Sequence, residues 1–107
     1  MVIQQYDIYL VKLNPTMGHE IKKTRPCVVL SPDILNEMAK TVILAPITSK
    51  SHPYPVRVAM TLNKRSAYVV LDQVLLVDQS RLVRKLGKLN MTTVRKVKAV
   101  LKEMLVD

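Results

Sequence analysis

Along the first two thirds of the chain, apolar residues come in short runs separated by breakers. Tyr6 to Leu13 (YDIYLVKL) sets Ile8, Leu10 and Leu13 beside the β formers Tyr9 and Val11 and predicts a strand. Asn14-Pro15-Thr16-Met17-Gly18 breaks it, and a loop continues to Thr24. Pro26 has no backbone donor and is expected at the start or on the edge of the next strand; Cys27 to Leu30 suits a buried one. Ser31-Pro32-Asp33 reads as a helix start, with Ser31 as N-cap, Pro32 at the first helical position and a short helix over Ile34 to Met38. Thr41 to Pro46 predicts a strand ended by Pro46. Ile47 to Pro55 is then a loop holding Thr48, Ser49, Ser51 and His52.

Val56 to Met60 partly alternates and predicts a half-exposed strand; Asn63-Lys64 marks a turn. Ala67 to Leu71 is strongly β, and Val74 to Val77 predicts one more short strand. The texture then changes. Gln79 to Leu86 carries Leu82, Val83 and Leu86 at helix-like spacing before Gly87, a natural C-cap. Asn90 suits the N-cap of a last helix, whose apolar stripe runs through Val94, Val97, Val100, Leu101, Met104 and Leu105. Arg95, Lys96, Lys98 and Lys102 lie off the stripe and read as a solvated face. Strands first and helices last predict a mainly β fold (β+α), a small antiparallel sheet or barrel with a terminal helix packed on it. The length of 107 residues predicts one domain, 1–107.

Composition narrows the class. With 49% hydrophobic and 23% charged residues the chain is globular rather than disordered. Its one cysteine, Cys27, excludes an internal disulfide and, within an apolar run, reads as a buried, inert thiol. No apolar run approaches the roughly 18 residues of a membrane helix. No basic segment leads into an apolar one at the N-terminus, where Asp7 interrupts early, so a cytoplasmic protein is expected. The net charge of +9, from 17 Lys+Arg against 8 Asp+Glu, points to a polyanionic partner, either nucleic acid or an acidic protein. Trp and Phe are absent, which argues against an aromatic platform for stacked bases; of four tyrosines, Tyr54 lies in a predicted loop.

Candidate chemistry sits where loops meet strands. Gly18-His19-Glu20-Ile21-Lys22-Lys23-Thr24-Arg25-Pro26 feeds into the apolar run Cys27-Val28-Val29-Leu30. An arginine locked beside a proline offers a preorganised planar fork of donors, which suits phosphate. Pro46-Ile47-Thr48-Ser49 is a strand running out into hydroxyls, and Leu71-Asp72-Gln73 follows later. No spaced His/Cys/Asp cluster resembles a metal site. Gly18 and Gly87 are the only glycines, so there is no Gly-rich phosphate loop and no cofactor is implied.

In this order and spacing, Asp7-Ile8-Tyr9-Leu10-Val11, Asn14-Pro15-Thr16, Gly18-His19-Glu20, Thr24-Arg25-Pro26, Val28-Val29-Leu30-Ser31, Asn36, Ala45-Pro46-Ile47-Thr48-Ser49 and Asp72-Gln73 resemble the MazF/PemK family of toxin ribonucleases from toxin–antitoxin pairs. That family includes Kid and is related in fold to the gyrase poison CcdB. The resemblance implies an SH3-like antiparallel barrel with short helices and a C-terminal helix, working as a homodimer. It implies cofactor-free, metal-independent and sequence-specific cleavage of single-stranded RNA, leaving a 2′,3′-cyclic phosphate and a 5′-hydroxyl and so arresting translation and growth. It also implies an antitoxin whose acidic, disordered tail occupies the RNA groove.

By the same resemblance Arg25 stabilises the phosphorane, with proton donation to the leaving oxygen as a second role, or else pairs with Glu20 on the surface. Thr48 hydrogen-bonds the scissile phosphate or the 2′-hydroxyl, or caps a strand end; Ser49 is its companion. Asp72 matches an aspartate that Kid-like members use near the nucleophile, but the arginine that Kid carries two residues earlier is Val70 here. That acid–base pair is therefore not intact, and Asp72 also fits a hydrogen-bonding or dimer-contact role. His19 is a candidate proton shuttle or phosphate ligand, and Glu20 a candidate base or partner of Arg25. Lys22, Lys23, Lys50, His52 and Tyr54 are placed to read bases from the loops 14–24 and 47–55, and Gln73 to contact base or backbone. Two non-enzymatic readings stay open: a CcdB-like topoisomerase poison or inactive regulator, and a plain RNA-binding barrel. A CcdB-like protein would act through its C-terminal end, where Met104-Leu105-Val106 here continue the apolar stripe and read as packing.

Overall fold

In the computed structural model, residues 2–13, 23–50 and 55–106 are described. Among them, β1 (Asp7–Leu13), β2 (Lys23–Val29), β3 (Thr41–Thr48), β4 (Arg57–Leu62), β5 (Arg65–Val70), β6 (Leu75–Asp78) and β7 (Leu82–Lys88) form one curled sheet. The strand order is β4-β5-β3-β2-β1-β7, with β6 also paired to β3, and each pairing is antiparallel. A short helix, α1 (Asp33–Met38), joins β2 to β3, and α2 (Met91–Leu105) follows β7. This is the expected mainly β architecture with a terminal helix.

Alternation divides the buried side chains into two sets, one on each face of the curled sheet. Ile8, Val28, Ala45, Ile47, Val58 and Val69 form one core, which α2 closes with Val94 and Val97. Tyr9, Val11, Cys27, Val29, Val42 and Leu44 form the other, together with Ile3 and Leu82. The central strands are buried on both faces, which is why they read as continuous apolar runs. Asp7 is wholly buried within β1; its carboxylate accepts from the Gln4 amide at 3.0 Å and lies 3.3 Å from the Lys85 ammonium.

Local signals set several boundaries. Asn63 and Lys64 have φ of 52° and 66°, the two-residue turn that matches the twist of a hairpin. This turn pairs Leu62 with Arg65 and carries the register down to Arg57 opposite Val70. The Asn90 carboxamide accepts from the Thr93 amide at 2.8 Å and caps α2. Ser31 and Asn36 are buried together. The Ser31 hydroxyl donates to Asn36 Oδ1 at 2.6 Å, and Asn36 Nδ2 donates to the carbonyls of Ser31 and Ile3. The Ile43 amide in turn donates to Ser31 Oγ. One buried amide thus ties the N-terminal segment, α1 and β3 together.

Five expectations need correction. Ser31 is not the N-cap of α1: its hydroxyl is engaged with Asn36, and Pro32 takes the cap position. Pro26 lies inside β2, not at its start; it pairs with Leu10 of β1 but lies beyond the ladder with β3, so the edge placement holds and the strand start does not. Pro46 does not end β3, which continues to Thr48; it ends only the pairing of β3 with β2. Gln79–Leu86 is not a helix. A 3-10 turn (Gln79–Arg81) leads into β7, whose pairing with β1 shifts register twice, between Ile8 and Tyr9 and between Leu10 and Val11. Each shift inserts a residue that breaks the period of two, so Leu82, Val83 and Leu86 take on helix-like spacing. Finally, the apolar stripe of α2 packs only as far as Leu101, and Leu105 and Val106 stand 71% and 77% exposed.

Asn36→Ala removes the hub of a buried polar network and is expected to lower stability by about 2–3 kcal/mol. Asn90→Ala removes one cap and should lower it by about 1 kcal/mol. Urea unfolding of both variants checks the ranking; an Asn36→Ala loss no larger than that of Asn90→Ala would deny the network its anchoring role.

Candidate active site

The site arises where β2 and β3 stop pairing. The last pair between them is Cys27 with Pro46, and beyond it β3 turns to β5, with Ile47 opposite Val69 and Thr48 opposite Tyr68. Neither Pro26 nor Pro46 can donate to a ladder, so both prolines flank the break. Two residues before Cys27 comes Arg25, and two after Pro46 comes Thr48. In an antiparallel register these two face each other across the gap. By alternation they also share the face of Cys27, Val29, Val42 and Leu44. Arg25 and Thr48 therefore stand where the second core runs out into solvent.

A cavity of about 350 Å³ opens there. Its polar lining is Arg25, Thr48, Lys50, Arg57 and Gln73, and Leu13, Pro46 and Val70 supply apolar walls. A second cavity of about 790 Å³ shares Arg25, Thr48 and Lys50 and extends past Ser49 to Asn63, Arg65 and Ser66 at the tip of the β4–β5 hairpin. Arg25 and Thr48 form the wall between the two. Among the described residues neither cavity is lined by a carboxylate, and four cations face them: Arg25, Lys50, Arg57 and Arg65.

The hydroxyl of Thr48 is oriented by the backbone: Thr48 Oγ1 accepts from the Lys50 amide at 3.1 Å. An oxygen held as acceptor on one side keeps its proton to donate on the other. Arg25 is exposed, and its carbonyl accepts a weak bond from Cys27 Sγ at 3.7 Å. Burial pushes the Cys27 thiol from an ordinary 9.0 up to about 12, with the Arg25 charge pulling the other way. Cys27 is fully buried, as expected, and serves as packing behind the site.

The expected residues separate into three groups. Arg25, Thr48, Lys50 and Gln73 come together in the smaller cavity, and Ser49 joins them in the larger. Asp72, in the 3-10 turn Leu71–Gln73, lies against Arg57 with Oδ1 3.6 Å from Nε. His19, Glu20, Lys22, His52 and Tyr54 lie outside the described residues, and Lys23 is placed only by its backbone, as the first residue of β2. The open question of Arg25 pairing with Glu20 falls with them. Among the described residues no group of three or more His, Cys, Asp or Glu is placed to hold a metal ion. No helix is long and apolar enough to cross a membrane.

Arg57 was missed by the sequence reading, which put it on a half-exposed strand; its side chain is only 8% exposed. The signal was present. A two-residue turn at Asn63-Lys64 fixes Arg57 opposite Val70, so the hairpin register carries it towards Asp72. Arg65, Asn63 and Ser66 were also missed, because only the curl of the sheet brings the hairpin tip beside Thr48.

The model of the PemK-like, MazF-like toxins of type II toxin–antitoxin systems matches residues 4–105. Endoribonuclease EndoA of Bacillus subtilis (strain 168) is 29% identical over 96 residues, spanning 84% of this chain and 83% of that protein. The crystal structure of MazE-MazF (Form-II) from Deinococcus radiodurans superposes with a TM-score of 0.84 at 28% identity, covering 98% of this chain and 96% of that one. MazF (Form-I) from the same organism superposes with a TM-score of 0.81 at 26% identity over 98% and 97% of the two chains.

The raised thiol pKa sets a pH dependence. Between pH 9 and about 12 the unfolded chain gives up the Cys27 proton and the folded chain keeps it. Stability from this group is therefore complete below pH 9 and declines as pH rises through that window, by up to about 1.4 kcal/mol per pH unit. Urea stability measured at pH 8.5, 10 and 11 should fall more steeply for the wild type than for Cys27→Ala. Equal slopes would remove Cys27 from the alkaline response.

Proposed function

Because the chain belongs to the PemK-like, MazF-like toxin family of type II toxin–antitoxin systems, we propose that it is the ribonuclease toxin of such a pair, with residues 1–107 acting as one domain, and that it cuts single-stranded RNA at the wall between its two cavities. The observation that carries this reading is that Arg25 and Thr48, beyond the last pair of β2 with β3, line both cavities together.

The chemistry follows from the donor set. The 2′-hydroxyl loses its proton and its oxygen bonds to the adjacent phosphorus; the bond from phosphorus to the 5′-oxygen breaks, and that oxygen takes up a proton. A 2′,3′-cyclic phosphate and a 5′-hydroxyl result. Negative charge builds on the two non-bridging oxygens in between. The Arg25 guanidinium meets that charge with a rigid fork, and the Thr48 hydroxyl, oriented by the Lys50 amide, donates to the same phosphate. These fixed cations and donors stabilise the phosphorane without a divalent ion.

The two cavities account for a single-stranded substrate. With the scissile phosphate on Arg25 and Thr48, the flanking nucleotides extend one into each cavity, where a base must be unpaired to enter. Ser49, Asn63, Arg65 and Ser66 offer donors and acceptors to a base edge on one side, and Gln73 on the other. The net charge of +9 favours the arrival of RNA. It equally suits an antitoxin with an acidic segment that covers the same cations, as MazE accompanies MazF in the related Deinococcus radiodurans assembly. The protein works in the cytoplasm as a homodimer, and its release from antitoxin arrests growth.

Purified protein incubated with a long single-stranded RNA in EDTA, with cuts mapped by primer extension, should give recurrent cuts at one short motif. Arg25→Ala should lower the rate by about 10³-fold and Thr48→Ala by about 10²-fold, with melting temperatures unchanged. RNA affinity should fall steeply with salt. Cutting that stops in EDTA and returns with added Mg²⁺ would overturn the metal-independent mechanism; a fully active Arg25→Ala would remove Arg25 from it.

A further inference from the structure

The β4–β5 hairpin sets Arg57 opposite Val70, and the chain then turns so that Asp72 meets the Arg57 guanidinium. The contact runs through Nε, the nitrogen on the stem side of the group, at 3.6 Å from Asp72 Oδ1. The two terminal nitrogens, with four of the five N–H donors, extend beyond it in the same plane. The Arg57 side chain is 8% exposed and the Asp72 side chain 34%. What Arg57 exposes includes a share of the cavity that Arg25, Thr48 and Lys50 also line. A cation so deeply set is costly to desolvate, and the Asp72 carboxylate beside it offsets part of that cost. Withdrawn from bulk water, its charge is less screened towards an anion held in the cavity.

We propose that Arg57 is a second catalytic guanidinium, contacting the scissile phosphate from the opposite wall to Arg25, and that Asp72 is the positioning residue that aims it rather than the base. This rests on the ribonuclease reading given above. Two guanidiniums on separate strands grip the phosphate from two sides, and the phosphorane, with more charge on its non-bridging oxygens than the diester, gains more than the ground state does. The Asp72 carboxylate meets Arg57 on the stem side of the guanidinium, which suits it to holding Arg57 in one rotamer. A purely structural clamp between Arg57 and Asp72 would stabilise the hairpin and leave the rate constant alone.

The test uses an RNA oligonucleotide carrying the motif mapped for the wild type, with kcat and KM measured separately. Arg57→Ala should lower kcat by about 10²–10³-fold while KM moves less than about tenfold. Added guanidinium chloride at millimolar concentration should restore part of that kcat, and Arg57→Lys should retain more activity than Arg57→Ala. Asp72→Asn should lower kcat by about tenfold or less and keep the acid limb of the kcat–pH profile. Loss of that limb would make Asp72 the base and overturn the positioning role. A kcat within about threefold of wild type in Arg57→Ala would overturn the catalytic one. Should Arg57→Ala lose its melting transition, Arg57→Gln keeps most of the stem, and the same threefold limit decides. A wild type that cuts no RNA fails the ribonuclease reading itself. A wild type that cuts, with Arg57 variants cutting equally well, fails only the assignment of Arg57.

Discussion

The site depends on β2 and β3 parting after Cys27 and Pro46. Two antiparallel strands that begin a ladder normally continue it, because each further pair satisfies backbone donors and acceptors. Here a proline stands on each strand beside the break, and neither can supply an amide to continue. β3 loses β2 along one edge while the other edge passes from β6 to β5, so the sheet curls and a gap opens on the β2 side. The register that holds the core together then places Arg25 and Thr48 face to face across the gap. Core and site are one periodic pattern, apolar where the strands pair and polar where they do not.

The charge distribution follows from the same break. Arg25, Lys50, Arg57 and Arg65 crowd around a small volume in which they repel one another. They are held there because Arg25, Arg57 and Arg65 belong to strands, and Lys50 follows a strand, that are anchored elsewhere: in the core closed by α2 and in the opposite core of Tyr9, Val11, Cys27 and Leu44. The core contacts therefore hold in place the cations that line the cleft. The Asn36 network, the Asn90 cap and the α2 stripe carry stability; the cleft carries concentrated positive charge and answers to an anion.

Cys27 shows how closely the two are joined. Its thiol is fully buried, one residue beyond Pro26, and its Sγ donates to the carbonyl of Arg25. It packs behind the guanidinium without entering the cleft, and the cost of burying a thiolate keeps it protonated. A residue of similar volume serves the packing; a larger one would press on the strand that presents Arg25.

What was legible in the sequence was what neighbours along the chain decide. The apolar runs of β1 and β2, the hairpin turn at Asn63-Lys64, the Asn90 cap and the excess of cations depend on local dihedral preference, period and composition, and all were read from the sequence. Arg25 and Thr48 stood out because each adjoins a proline-bearing strand segment. Pairing choices were not legible. The register shifts of β7 gave its apolar residues a helix-like spacing, and Pro46 looked like a strand end because its role depends on which partner β3 keeps. Arg57 was read only as part of a half-exposed strand, and its side chain is nearly buried in the structure, where Val70 lies across from it and Asp72 beside it. Sequence alone determined six of the seven described strands, the turn, the cap and the charge. Only the tertiary structure decided where two strands part and which cation lines the gap, because pairing and burial are set by residues far apart along the chain.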